Sequence, residues 1–422
     1  MQRTSVMNAC VISIGNELLR VSSVDTNSIY LRNKLLSVGI PVTASFVVPD
    51  DAASIIRTLR FASEDCNLLF LTGGLGSTPD DLTREALAQF LHKPLKLRKE
   101  LLAKMENFFT RRHLPMPGVN KQQAYFPEGT EPIDNTIGTA SGIKARNQDK
   151  LIIALPGVPV EMTEMFESHI LGELKATISR RGQSKFATGR INCFGKTESD
   201  IVSILGEILS RNRNPVVDCT INHGVVSLYI VAEANTGREA QEMVLATRRQ
   251  ISGILGSVVY STGEASLSQV AGGLLSAKRK TIAIAESCTG GLLAKLLTEV
   301  PGSSRYFSRG WITYSNQSKS SELAVPMPMI KKYGAVSPEV AGSMAENACR
   351  KADTDFAVGI TGIAGPGGGS KQKPVGMVYI SVASKDQIHT RKFLFAGERE
   401  AIRYRAAMTA LNMVRLSLLQ FD

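Results

Sequence analysis

A chain of 422 residues, set against a typical domain of roughly 150, predicts two or three domains, each large enough to bury its own core. With 43% hydrophobic and 21% charged residues and no run of about 18 apolar ones, the composition excludes a disordered, fibrous or membrane-spanning chain. The net charge of +11 attracts polyanions, but it suits phosphorylated small molecules as well as nucleic acid.

Arg3 precedes a short apolar stretch that Asn8 and Gly15-Asn16-Glu17 interrupt, so the segment is read as a first strand rather than a signal peptide. Residues 1 to about 175 alternate β-branched runs (Ala9 to Ile14, Pro41 to Val48, Asn67 to Leu71, Leu151 to Ala154) with helical patterns (Thr26 to Val38, Ala52 to Glu64, Thr83 to Phe90). That alternation predicts a mostly parallel sheet with helices on both faces and ligands in the turns beyond the strand C-termini. A basic cluster from Lys93 to Arg112 falls on a predicted helix with few aromatics. A solvated face is favoured over a nucleic-acid stripe there, because stacking rings are sparse.

Residues 176–262 read as a small α+β connecting module: strand Ile191 to Phe194, helix Asp200 to Ser210, strands Val216 to Thr220 and Val225 to Ala232, and helix Arg238 to Leu255. Residues 263–422 read as a second α/β domain. Its elements are helix Leu267 to Leu275, strand Thr281 to Ala285, helices from Leu292 and from Pro338 to Lys351, strands Phe356 to Ile360, Met377 to Ala383 and His389 to Phe395, and helix Glu400 to Leu419. The fold class is therefore α/β, two α/β domains joined by a small α+β module. Cys10, Cys66, Cys193, Cys219, Cys288 and Cys349 show no Cys-x-x-Cys, and the histidines show no ligand spacing. Neither a disulfide framework nor a zinc site is expected, and a reducing cytoplasm is the default.

Two strand-to-helix turns carry the chemistry. Thr72-Gly73-Gly74-Leu75-Gly76-Ser77-Thr78-Pro79-Asp80-Asp81 combines glycines whose amides can wrap a phosphate with two carboxylates that could hold Mg²⁺ or a similar cation. Gly15-Asn16-Glu17 and Asp25-Thr26-Asn27 are expected nearby. The alternative is a tight turn with helix-capping aspartates. In the C-terminal part, Glu286-Ser287-Cys288-Thr289-Gly290-Gly291 places Ser287 at a helix N-terminus, where free N–H groups stabilise an oxyanion or phosphate; an N-cap is the alternative. A base is available from Lys319, after Tyr314-Ser315-Asn316, since serine–lysine pairs run acyl transfer when the amine is deprotonated. Cys288 is the alternative nucleophile or a small buried residue. A third turn, Thr361-Gly362-Ile363-Ala364-Gly365-Pro366-Gly367-Gly368-Gly369, adds a hydroxyl and backbone able to approach a ribose phosphate.

Ordered motifs across residues 263–422 resemble the C-terminal nicotinamide mononucleotide deamidase domain of the competence/damage-inducible protein A family. They are Ala285 to Gly291, Pro301-Gly302-Ser303-Ser304, Tyr314-Ser315-Asn316 with Lys319, Gly334-Ala335-Val336-Ser337, Thr361 to Pro366, Lys373-Pro374-Val375-Gly376 and Gly397-Glu398-Arg399. The resemblance implies hydrolysis of nicotinamide mononucleotide to nicotinic acid mononucleotide and ammonia, without a cofactor. Ser287 would be the nucleophile, Lys319 the base, Thr361 an assisting group and Tyr314 a site-lining residue. Amides of Thr289, Gly290 and Gly291 are candidates for the oxyanion hole, the Gly365, Gly367 and Gly368 backbone for substrate contact, and Arg399 or Arg403 for the phosphate.

The N-terminal part resembles the same family's first domain, itself similar to molybdopterin-binding domains. The matching segments include Asn120, Gln123-Ala124, Pro127-Glu128-Gly129, Asn135, Gly138-Thr139-Ala140 and Leu155-Pro156-Gly157-Val158-Pro159, with Gly195 and Glu198-Ser199 in the middle module. This implies an ADP-ribose pyrophosphatase dependent on a divalent cation at Asp80 and Asp81, with Gly73, Gly74, Gly76, Thr78 and Asn27 as ligand contacts. Val21 stands where the family usually has glycine, and Ser77 and Ser141 where it usually has proline. A homodimer and small-molecule partners are implied, with neither membrane nor nucleic acid. The rival readings are a DNA-uptake or recombination accessory, whose binding would weaken steeply with salt, and a pterin-binding N-domain without hydrolysis.

Overall fold

The computed structural model describes residues 7–20, 23–181 and 185–419; Arg3 and Val21 lie outside them. By its internal contacts the chain divides into two units, residues 1–188 with 232–242, and residues 189–231 with 243–422.

The strands of the first part are β1 (Ala9–Ile14), β2 (Val42–Val48), β3 (Leu68–Thr72), β4 (Leu95–Leu97), β5 (Tyr125–Pro127), β6 (Glu131–Ile133), β7 (Gly142–Asn147) and β8 (Lys150–Leu155). Six of them form one sheet in the order β2-β1-β3-β8-β7-β6, with β4 and β5 paired separately. The first four run parallel, and β7 and β6 turn antiparallel at one edge. Every residue of β1 and β3 is buried, because helices cover both faces and alternate side chains enter opposite cores. Ile12 and Leu69 meet Ile55 and Leu59 of the Ala52–Asp65 helix on one side. Val11 and Phe70 meet Leu31 and Leu35 of the Thr26–Ser37 helix on the other. Since β1 lies between β2 and β3, the chain leaves it in both directions, and the turns after β1, β3 and β8 open a cleft at that switch point.

The middle module is a four-stranded sheet ordered β10-β11-β9-β12, built from β9 (Lys185–Phe194), β10 (Val216–Asn222), β11 (Val225–Ala234) and β12 (Val259–Ser261). The Glu198–Leu205 helix starts on a Thr197 capping box, and the Gly237–Leu255 helix follows β11.

The C-terminal sheet holds β13 (Ile282–Glu286), β14 (Phe307–Ile312), β15 (Phe356–Gly362), β16 (Met377–Ser384) and β17 (Ile388–Leu394) in the order β14-β13-β15-β16-β17. β14, β13 and β15 run parallel, while β16 and β17 are antiparallel. Ile282 and Ile284 face a core closed by the Leu267–Ala277 and Arg399–Leu419 helices, which also takes in Phe194 and Tyr260 of the small module. Ala283 and Ala285 face the Pro338–Ala352 helix instead. Gly359 of β15 permits that close approach, because a Cβ there would stand 2.3 Å from the Ala341 carbonyl oxygen. No described helix is long and apolar enough to cross a membrane.

Candidate functional site

β13 delivers Glu286 to the C-terminal end of the sheet, and the chain then turns through Ser287-Cys288-Thr289-Gly290-Gly291 into the Leu292–Thr298 helix. Gly291 sits at φ 93°, a conformation that costs a side chain of ordinary chirality. The turn is held from inside. The buried Glu286 carboxylate accepts the N–H groups of Gly291 (3.1 Å), Leu293 (3.1 Å) and Ala294 (2.9 Å), occupying the orphan donors of the helix start. Ser287 N–H donates to Ile360 of β15 at 3.0 Å, fixing the serine at the sheet edge.

Lys319 arrives from the other side. β14 pairs with β13, the Thr313 N–H donates to the Glu286 carbonyl at 2.8 Å, and the Asn316–Leu323 helix begins on a Ser315 cap. Its Nζ lies 2.9 Å from Ser287 Oγ and donates to the Thr313 carbonyl at 2.7 Å. The lysine is 1% exposed and, among the described residues, no carboxylate pairs with it. Burial therefore pulls its pKa down from 10.5 to about 8, which puts a free amine within reach near neutrality. Burial pushes the neighbouring Cys288 thiol up to about 12, so it stays protonated, while the serine faces the base.

The other C-terminal candidates form a frame around this pair. Thr361 is buried, and its hydroxyl donates to the Ala335 carbonyl at 2.8 Å rather than to Ser287 or Lys319. Arg399 bridges the rim, donating to the Gly365 carbonyl (2.6 Å) and to the hydroxyl of the exposed Tyr314 (2.8 Å). Arg403 donates to the Thr289 carbonyl at 2.7 Å. Gly365 is buried and Gly367 and Gly368 are exposed. The glycine amides expected in an oxyanion hole are taken: Gly290 N–H donates to the Ser287 carbonyl and Gly291 N–H to Glu286. Thr289 Oγ1 and Arg403 Nε are buried without a partner beside this turn. The roles of Glu286 and of Lys373, whose Nζ ties the glycine-rich loop to the Tyr333 and Val336 carbonyls, were missed. An acidic residue ending a buried strand before a glycine turn was the available signal for the first.

In the N-terminal part, Gly73, Gly74, Gly76, Thr78, Asp80 and Asp81 line a cleft of about 390 Å³ together with Glu17, Asp50 and Glu161. Gly73, at φ 106°, leaves no room for a Cβ, which would stand 2.1 Å from the Ile14 carbonyl oxygen. Asn27 Nδ2 donates to Thr72 Oγ1 (2.7 Å) and to the Gly157 carbonyl (2.8 Å), and its buried Oδ1 has no partner. Asp81 accepts from Gly76 N–H (2.8 Å), Thr78 N–H (2.8 Å) and Thr78 Oγ1 (2.6 Å), so both its oxygens hold the loop. Asp80 is exposed, and its carboxyl lies below the usual range beside the Thr78 hydroxyl. Asp50 is shifted upward, first by burial and then by Glu17, Asp80 and Asp81. Among the described residues no three His, Cys, Asp or Glu side chains form a metal-holding group. Of the expected Asp80 and Asp81 pair, Asp81 is engaged by its own loop while Asp80 stands exposed at the cleft. Sequence reasoning also missed Arg84, buried and donating to the Leu75 and Gly76 carbonyls. Ser77 and Ser141 are half-buried.

Three family models match in succession: a probable molybdopterin binding domain over residues 10–176, a damage-inducible protein CinA KH domain over 189–261, and a CinA C-terminal domain over 264–418. A putative competence-damage inducible protein of Caldicellulosiruptor bescii is 37% identical over 98% of this chain and 100% of its own length. A CinA-like protein of Dictyoglomus thermophilum is 38% identical over the same shares. Among solved structures, a competence/damage inducible protein of Agrobacterium tumefaciens covers 36% of this chain and 94% of its own at 38% identity and a TM-score of 0.36.

Proposed function

The chain belongs to the competence/damage-inducible CinA family, and from that premise we propose that its C-terminal domain hydrolyses the carboxamide of nicotinamide mononucleotide to nicotinic acid mononucleotide and ammonia. The observation that carries this reading is the buried contact of 2.9 Å between Ser287 Oγ and Lys319 Nζ. With its pKa held near 8, Lys319 as free amine takes the Ser287 proton while Oγ attacks the carboxamide carbon. The resulting ammonium returns that proton to the departing nitrogen, ammonia leaves, and an acyl-enzyme remains. Water then adds with the amine as base, and Ser287 is released with its proton restored. Glu286 has no role in proton transfer; it keeps the turn that presents Ser287 in shape. Thr289 Oγ1 and the Arg403 guanidinium, whose Nε is buried without a partner, are the donors that we assign to developing negative charge.

For the first domain the family resemblance implies a metal-dependent ADP-ribose pyrophosphatase. Both Asp81 oxygens are taken up by the loop itself, and we assign that cleft no reaction. The test of the deamidase reading is ammonia release from nicotinamide mononucleotide by the full chain. Ser287→Ala should lose at least about a thousandfold in kcat/KM; undiminished release would remove the serine from the mechanism.

A further inference from the structure

The glycine-rich loop after β15 closes on itself. Gly376 N–H donates to the Ile363 carbonyl at 2.8 Å, Ser370 N–H to the Lys373 carbonyl at 2.8 Å, and Lys373 N–H to Ser370 Oγ at 3.0 Å. Tied at its neck and across its tip, it moves as one piece. Arg399 holds it on one side through the Gly365 carbonyl. On the other side Lys373 Nζ reaches the short turn between the Met327–Tyr333 and Pro338–Ala352 helices.

Four consecutive carbonyls of that turn each accept from a side chain. Tyr333 and Val336 receive Lys373 Nζ (2.8 and 2.7 Å), Gly334 receives Ser337 Oγ (2.9 Å) and Ala335 receives Thr361 Oγ1 (2.8 Å). The place of the turn is therefore dictated by the residues that reach it. Thr361 is 1% exposed, and the residue before it, Ile360, accepts the Ser287 N–H. The end of β15 thus holds the nucleophile through backbone and the turn through a side chain. A hydroxyl has one hydrogen, and that of Thr361 goes to Ala335 rather than to a departing amine.

We propose that Thr361 and Lys373 are positioning residues, which clamp this turn to β15 and to the glycine-rich loop and so hold the rim of Gly365, Arg399 and Tyr314 in place for substrate binding, without taking part in proton transfer. The proposal rests on the deamidase reading and assigns Thr361 a different part in it from the assisting group that the family resemblance implies. Steady-state ammonia release from nicotinamide mononucleotide by the full chain tests it, alongside the rate at which a fluorophosphonate labels Ser287, which reports the Ser287–Lys319 pair without the pyridine substrate. Thr361→Val should raise KM about tenfold, with kcat and the labelling rate within about twofold. Thr361→Ser restores the hydroxyl and should bring KM back to within about twofold of the native value. Lys373→Met should raise KM at least about tenfold at the same kcat. A side chain that only stabilised the fold would lower the melting temperature and leave KM unmoved. A kcat for Thr361→Val lowered about a hundredfold or more, with labelling slowed in step, would place Thr361 in the proton transfer and overturn the proposal. An unmoved KM in both Thr361→Val and Lys373→Met, with ammonia release still dependent on Ser287, sinks this proposal alone. Ammonia release undiminished in Ser287→Ala removes the deamidase reading and this proposal with it.

Discussion

The Ser287 turn and the Gly73–Asp81 loop are built alike and end differently. Each follows a fully buried parallel strand, each bends through glycines, and each has a carboxylate that accepts amide N–H groups of its own connection: Glu286 at the C-terminal turn, Asp81 at the N-terminal loop. The C-terminal turn then leaves a hydroxyl against an amine without a counter-ion. The N-terminal loop leaves backbone around a cleft rimmed by further carboxylates. A carboxylate beside a glycine turn is thus part of the fold in both places. The chemistry belongs to whichever side chains the fold has not already engaged.

The largest test of that contrast is Lys319→Met, expected to lower ammonia release by about a thousandfold or more, as for the serine. In the unaltered chain kcat/KM should rise about tenfold per pH unit until roughly pH 8 and then level off, because only the free amine accepts the proton. The same lysine links to stability. Its folded pKa lies below the unfolded value of 10.5, so between about pH 8 and 10.5 the unfolded chain holds more protons and stability climbs with pH. Urea titrations should show that climb in the native chain and its loss in Lys319→Met; identical slopes would mean the ammonium is not destabilised by burial.

A smaller effect is expected from Glu286→Gln, which keeps the side-chain size but turns an acceptor into a donor facing N–H groups. It should cost about 1–3 kcal/mol in stability and lower kcat about tenfold with KM near its original value, since Ser287 moves while the substrate contacts remain. A raised KM at constant kcat would break the assignment of Glu286 as the residue that positions the nucleophile. Smallest is Asp81→Ala, predicted to cost about 1–2 kcal/mol in unfolding experiments while ammonia release stays within about twofold. Unaltered stability would show that the loop keeps its shape by other means.

Much of this was readable in the chain itself. The runs at Ala9 to Ile14 and Phe356 to Ile360 announced central strands because both faces of each are buried, leaving an unbroken apolar stretch. β14 was not legible: Ser308, Arg309 and Gly310 lie at an edge where no residue is fully buried, so neither periodicity nor composition marks it. That strand is what carries Thr313 and Lys319 to Ser287. The two partners could be nominated by residue type, but their meeting depends on the β13–β14 pairing. The engagement of two expected oxyanion donors was hidden for a related reason: folding hands the Gly291 amide to Glu286 and the Gly290 amide to the Ser287 carbonyl. At the N-terminal end the aspartates were visible, but their engagement was not: the Thr83–Phe90 helix has no side-chain cap, and Asp81 accepts instead from Gly76 and Thr78 of its own loop.

Because Asp81 grips Gly76 and Thr78 on its own, the cradle between them is cast before any guest arrives. Whatever enters meets a finished mould, and the disorder that a pliant loop would surrender on capture has already been given up when the chain folded. Loosening that grip should therefore show itself first as faster escape of a visitor, with the pace of arrival little altered.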